Sequence, residues 1–302
     1  MNFTEQQRRN RQRTVLLVAA FVALFVAVGL LVDLTMVGAP LPIATVGALI
    51  VAGATAWLGW RRGADWVLGS LLAEPLRDDE PEHRQLANIA AEMAIAAGLP
   101  LPRLFVIPDP SPNALATGTT ADDASIAVTA GALALLDREE TQGVVAHEMA
   151  HLANRDTALM TMVSVLFGGL LMLADWARRS LYFARQGERT AHPLAIVLLP
   201  LLVLLTPLLS RLLAMAVSRR REYQADATAV AFTRNPEGLA RALETIAASE
   251  FPMRAATRGS AHLFIVSPLR RRADEREGAW ADLFATHPPL VHRVALLRGL
   301  AE

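Results

Sequence analysis

Two uncharged apolar runs near the start of the chain, Thr14–Val32 and Pro42–Trp60, constrain the fold more than any other feature of the sequence. As a helix rising ~1.5 Å per residue, each is long enough to cross the ~30 Å of hydrocarbon in a bilayer. Lipid offers no partners to backbone N–H and C=O groups, so runs of this kind are read as transmembrane helices. The first follows a basic start, Arg8, Arg9, Arg11 and Arg13, as a signal peptide would. It is long for that role, however, and the second run follows with no small-residue cleavage site between them. The connection 33–41 carries no arginine, whereas four precede the first run and Arg61–Arg62 close the second. By the positive-inside rule, the N-terminus and whatever begins after Arg61 lie in the cytoplasm.

Two further runs, Thr157–Ala174 and Pro193–Ser210, are also of spanning length. Arg178, Arg179, Arg185 and Arg189 lie between them and oppose translocation of that connection. We read the pair as a full crossing, with a partly inserted hairpin as the alternative. Both readings bring Thr157 and Ser218 out on the same, cytoplasmic, side. The chain then divides into a tail with two membrane helices (1–62), a first soluble part (63–156), a hydrophobic hairpin (157–218) and a second soluble part (219–302). The two soluble parts are expected to fold together as one domain.

Composition narrows the chemistry. With 53% hydrophobic residues, 19% charged and no net charge, the chain is neither an acidic disordered tail nor a basic nucleic-acid binder. There is no cysteine, which removes disulfides, thiolate metal sites and cysteine nucleophiles together. All the basic residues are arginine, so lysine Schiff bases and P-loops are excluded too.

In the first soluble part the pattern predicts a helix over Glu82–Ala97, stopped by Gly98-Leu99-Pro100, and a strand at Leu104–Ile107. A Pro/Gly/Asn loop follows, then a strand at Ser125–Thr129 whose edge is expected to be open to an extended substrate. Asp137 and Glu140, three apart, form a capping-box pattern that opens the next helix. The second soluble part reads as helical to about Ser249 and then as an Arg/Gly/Pro-rich loop.

On the helix opened by Asp137 stands His147-Glu148-Met149-Ala150-His151. Residues four apart share one helix face, so both imidazoles can reach one ion of zinc type. Glu148 sits beside that position without being needed as a ligand, free to act as general base towards a metal-activated water. Chance supplies about 0.01 matches to this pattern in a chain of this composition, which sets the motif apart from an ordinary solvated His pair. A catalytic zinc needs a third protein ligand. The downstream candidates are His192, Glu222, Asp226, Glu244, His262, His287 and His292. Glu222 is favoured because it follows the fourth apolar run, and the hairpin returns the chain to the face it left near His151. Asp226, one turn further on, is placed to accept from the free nitrogen of a ligating imidazole. His287 precedes two prolines and Arg293 follows it; one or both are candidates to stabilise an oxyanion, against a structural histidine and a salt-bridged arginine.

These residues resemble the HtpX family of bacterial membrane zinc metalloproteases, distant relatives of the CAAX-type prenyl endopeptidases. The matching segments are Pro112–Gly118 (PNALATG), the His147–His151 motif with Asn154-Arg155-Asp156 after it, Arg221–Asp226 (REYQAD), and Thr286-His287-Pro288-Pro289 with Arg293. They occur in the family's order among its hydrophobic segments and cover nearly the whole chain. One departure is Leu115, where the family often has an aromatic residue. The resemblance implies a mainly α integral membrane protein carrying an α+β zincin-like metalloprotease domain that faces the cytoplasm. It implies one Zn2+ per chain on His147, His151 and Glu222, with Glu148 as base, Asp226 supporting a ligand and Asn113 helping to position substrate. It further implies a multi-pass protein of the bacterial inner membrane that cleaves misfolded or damaged membrane proteins, overlapping in function with an ATP-dependent membrane protease. An intramembrane site-two type enzyme fits less well, since Arg138, Glu139, Glu140 and Asn154-Arg155-Asp156 flank the motif. A non-catalytic zinc-stabilised scaffold or transporter would have no use for Glu148.

Overall fold

The structure, a computed structural model, describes residues 3–35, 42–77, 79–185, 219–257, 259–268 and 288–300. The first two apolar runs lie within longer helices, α1 (Phe3–Thr35) and α2 (Ile43–Ser70). Asp33 near the end of α1 caps α2. Its carboxylate accepts from the backbone N–H groups of Ala44 and Thr45 at 3.0 and 2.9 Å and from the Thr45 hydroxyl at 2.6 Å. This satisfies donors that a helix start otherwise leaves open.

The third run opens a helix running from Asp156 to Arg185, which packs against both of the others. Small residues set that approach. A Cβ at Gly59 would meet Val165 at 2.8 Å, and one at Gly63 would meet Thr161 at 2.9 Å, as expected where membrane helices pack through small side chains. Phe21, Ala52, Met162, Leu166 and Leu170 fill the interior of the trio. Outside it, Val15, Leu16, Ile50, Val51 and Trp57 remain exposed. Both helices are long and apolar enough to cross a membrane, and lipid is the solvent that such a surface calls for. The fourth run, Pro193–Ser210, lies outside the described residues.

Between these helices and the C-terminus is an α+β body. Strands β1 (Glu74–Pro75), β2 (Arg103–Ile107), β3 (Ala114–Thr117) and β4 (Ser125–Thr129) form one sheet in the order β1-β2-β4-β3. β2 and β4 run parallel, and the other pairs are antiparallel. Helix α3 (Pro81–Ala97) begins with proline in its first turn and ends on Gly98 in the left-handed region. A short helix α4 (Ala130–Leu135) follows β4. Helix α5 (Arg138–Ala153) starts on a complete capping box. Asp137 accepts from the Glu140 N–H at 2.8 Å, and Glu140 accepts from the Asp137 N–H at 2.9 Å. The helix Asp156–Arg185 is α6. Then come α7 (Arg219–Thr233), α8 (Pro236–Ala248), a 3-10 turn at Ala261–Leu263 and α9 (Leu290–Gly299). Leu86, Ile89, Val144, Met149, Leu243 and Val294 share one core, so side chains from before residue 157 and after residue 218 are buried together.

Two local expectations are corrected and a third is refined. Ala114–Thr117, expected in a loop, is a fully buried strand. It is only four residues of small apolar type, and Pro112-Asn113 before it and Gly118 after it, with φ 135, are turn signals that mask so short a run. Ser125–Thr129, expected to offer an open edge, is the inner strand between β2 and β3, so its ladder groups are taken on both sides. The helical stretch to Ser249 is two helices, broken at Arg234 (φ 51) and restarted by the Asn235 cap, whose Oδ1 accepts from Gly238 N–H at 3.1 Å.

Helix α5 lies against α8 with no room for a side chain at Gly143, where a Cβ would fall 2.7 Å from the Leu239 nitrogen. We predict that Gly143→Ala lowers stability by about 1–3 kcal/mol, although alanine is the better helix former by ~1 kcal/mol. Gly53→Ala, in open space on α2, should be neutral or better; thermal unfolding in detergent compares the two.

Candidate metal centre

The capping box fixes where α5 begins, and from that start His147 and His151 fall one turn apart on its buried side. Their rings meet edge to face, with centroids 4.8 Å apart and an interplanar angle of 87°. The two Nε2 atoms are 3.2 Å apart. Glu222, from the first turn of α7, faces this pair: Oε2 is 3.8 Å from His147 Nε2 and Oε1 is 3.7 Å from His151 Nε2. Ligand atoms of the three residues lie within 4.8 Å of one another, and all three residues are buried.

What aims the two imidazoles is a carboxylate behind each. Asp226, one turn after Glu222, accepts from His147 Nδ1 at 2.9 Å. Asp156, at the start of α6, accepts from His151 Nδ1 at 3.2 Å. A proton held on Nδ1 leaves the Nε2 lone pair directed at the shared point. Asp226 is in turn held by Arg293, whose Nε and Nη2 donate to its two oxygens at 2.8 and 2.7 Å. Arg293 Nη1 donates to the Ile265 carbonyl at 2.9 Å, and the side chain is fully buried.

Of the other downstream candidates, Glu244 is exposed and paired with Arg298. His262 is bonded to Ser164 and the Met160 carbonyl, and His292 is exposed. His192 and His287 lie outside the described residues. Asn113 is buried, and its amide joins the chain at Val266 and Ala114. Nδ2 donates to the Val266 carbonyl at 2.8 Å, while Oδ1 accepts from Val266 and Ala114 N–H at 3.3 and 3.1 Å. Asp156 is the residue whose place sequence reasoning missed. It was visible in Asn154-Arg155-Asp156 after the motif, but nothing in its spacing said that it faces His151. The tight reversal through Arg155, at φ 57, turns it there.

Charge in this pocket is set by burial and by the carboxylates together. Burial pulls the His147 imidazolium down to about 4, against the opposing pull of Asp226. For His151 burial acts in the same direction, but Asp156, Glu222 and Glu148 outweigh it and hold the ring up at about 9. Asp226 resists its burial through Arg293 and His147 and sits at about 2. Burial pushes Glu148 up to about 7, while His151, Arg293 and the Ala116 N–H pull the other way. Its Oε1 is buried and, among the described residues, has no hydrogen-bond partner. Two Nε2 atoms, a carboxylate and a spare carboxylate alongside suit a tetrahedral divalent ion of zinc type that keeps one position open.

The profile of the family described as Peptidase family M48 matches residues 80–301. Over 257 residues the chain is 39% identical to a Protease HtpX homolog of Dictyoglomus turgidum, covering 84% of this chain and 81% of that one. Over 307 residues it is 37% identical to a Protease HtpX homolog of Limosilactobacillus fermentum, covering 98% and 99%. A crystal structure of S. mikatae Ste24p aligns with TM-score 0.45 and 19% identity over 83% of this chain, which spans 63% of that chain's length.

With its pKa raised to about 9, His151 is protonated in the metal-free protein at neutral pH, and a metal must displace that proton. We predict that zinc binding at pH 8 releases about one proton, falling towards zero as pH rises past about 10. Calorimetric titrations in buffers of different ionisation enthalpy measure this directly.

Proposed function

The chain belongs to peptidase family M48, among its HtpX-type members, and from that premise we propose that this membrane metalloprotease clears misfolded or damaged membrane proteins at the cytoplasmic face. The observation that carries the reading is the convergence of His147, His151 and Glu222, with Glu148 beside them and one of its oxygens unspent. His147, His151 and Glu222 are assigned as ligands of one Zn2+. Zinc held there supplies Lewis acidity, both to lower the pKa of a water and to polarise a scissile carbonyl.

Glu148 takes the proton of the attacking water and returns it to the departing amine. Burial raises the Glu148 carboxyl above the ordinary carboxylate range, the direction that suits a group that must take up a proton and give it back. Asp226 and Asp156 keep the imidazoles oriented. Arg293 is assigned to holding Asp226, to which its Nε and Nη2 both donate while Nη1 donates to the Ile265 carbonyl. His287 is assigned to the oxyanion. Asn113 is assigned to fixing the 264–266 segment against β3, and through that segment to shaping the substrate's approach.

The depth of the site supports action at the bilayer surface. Asn10 of α1 bonds Asp156, the partner of His151, and Thr14, one turn later, begins the apolar run. His151 thus sits close to the level at which α1 enters the membrane. With the N-terminus and the chain after Arg61 cytoplasmic, the arginines before the first apolar run and Arg61–Arg62 after the second lie where the positive-inside rule wants them, whereas Arg178, Arg179 and Arg185 at the far end of α6 oppose a full crossing. The substrates that reach such a site are cytosolic loops and tails of membrane proteins, with the inner membrane as the setting and an ATP-dependent membrane protease as a functional neighbour.

Glu148→Gln should keep about one zinc per chain, lose cleavage by a factor of roughly 10² or more, and insert normally. Glu222→Ala should lose zinc far more readily than Asp226→Ala. Metal analysis beside cleavage of an unstructured membrane substrate checks both; parent-like cleavage by Glu148→Gln removes its catalytic role. A second prediction concerns location: a segment tethered to a membrane helix should be cut faster than the same segment free in solution. Equal rates would count against a bilayer-level site.

A further inference from the structure

The N-terminal helix does more than anchor the chain. Asn10 is 2% exposed, at the point where α1 is about to become wholly apolar. Its Nδ2 donates to Asp156 Oδ1 at 2.6 Å and to the Asn154 carbonyl at 3.2 Å, while its own carbonyl accepts from the Thr14 hydroxyl at 2.9 Å. The other oxygen of Asp156 holds His151 Nδ1 at 3.2 Å. A short polar path therefore leads from α1 to the ring, across 146 residues of sequence. Arg221 Nη1 also faces Asp156 Oδ1, but at 3.8 Å, beyond hydrogen-bond range. Asn10 makes the closer contact. One turn earlier, Gln7 Nε2 donates to the Ala153 carbonyl at 3.0 Å, which docks α1 on the same corner without touching Asp156.

We propose that Asn10 is a positioning residue for the metal centre: through Asp156 it fixes the His151 ring, so that the site is complete only when α1 is docked on the start of α6. This rests on His151 being a zinc ligand. The physical reason is geometric. A carboxylate with one oxygen tied down presents the other in a fixed direction, and a ligating imidazole held on Nδ1 loses the freedom to swing Nε2 away. A buried asparagine beside hydrocarbon is retained at a cost unless its donors are spent, and both donors of this amide go to the corner that carries Asp156. Membrane insertion of the first helix and assembly of the catalytic centre are thereby coupled.

The test uses the full-length protein in detergent, loaded with zinc for chelator competition and with Co2+ for its visible ligand-field bands. Asn10→Ala should weaken zinc binding by roughly 3–10-fold, below the ~10–100-fold typical of groups that touch a ligating histidine directly, and should perturb the cobalt bands. Asn10→Asp, of equal size, sets a second carboxylate against Asp156 and should weaken zinc at least as much; it also serves if Asn10→Ala fails to insert. Gln7→Ala should match the parent in both readouts. Parent-like affinity and spectrum in the Asn10 variants overturn the proposal, as does an equal loss in Gln7→Ala, which would make the contact mere docking. His151→Ala is the reference. If it retains zinc as tightly as the parent, the ligand assignment fails and this inference falls with it; if it loses zinc while the Asn10 variants do not, only this inference falls.

Discussion

The arrangement turns on a carboxylate behind each imidazole. Asp226 holds His147 and Asp156 holds His151, each through Nδ1, and two buried Nε2 atoms are thereby made to face each other and Glu222. Taking these groups out of water is expensive, and stripping one member from such a cluster typically costs about 3–5 kcal/mol because the remaining charge is stranded. The fold meets that demand with a chain of partners. Arg293 closes the Asp226 side and is itself closed by the Ile265 carbonyl; Asn10 closes the Asp156 side, with the Arg221 guanidinium 3.8 Å away. Helices α1, α5, α6, α7 and α9 each supply a member, so the site reports on the assembly of the whole.

That dependence joins the membrane part to the chemistry. Helix α6 carries Asp156 and packs against both helices of membrane-spanning length, and Gly59 and Gly63 let α2 close on it. Its Thr161 hydroxyl accepts from Gly118 N–H at 3.0 Å and meets the Thr117 hydroxyl at 2.9 Å, which ties the end of β3 to the same helix. The edge strand β3, helix α5 and the apolar helices α1 and α6 are thus fixed relative to one another by a few short polar contacts. Their apolar packing supplies the bulk of the adhesion but little of the direction.

Much of this was legible in the residues. The capping box at Asp137 and Glu140, the stop at Gly98 and the first two long apolar helices follow from local rules, because caps, left-handed glycine and long apolar runs act over a few residues. The His147–His151 spacing implied a shared face for the same reason. The strand at Ala114–Thr117 was not legible, since four small residues between turn signals carry no period to read. Glu222 stood out only by its place after the hairpin and by family resemblance, because a carboxylate near arginines is ordinary on its own. Asp156 lay in plain view without a stated role.

What the sequence determined by itself was a membrane-anchored chain with a zinc-type motif, no cysteine chemistry, and the side chains from which a His/Glu site must be drawn. These are properties of composition and of short-range periodicity. What only the tertiary structure decided was which carboxylates stand behind which imidazoles, that Arg293 supports Asp226, and that Asn10 reaches Asp156 from the far end of the chain. Hydrogen bonds between elements distant in sequence, 67 residues apart for Arg293–Asp226 and 146 for Asn10–Asp156, leave no local pattern. They exist only because apolar packing of α1, α5, α6 and α7 brings those positions within 3 Å or so of one another, at distances where direction begins to matter.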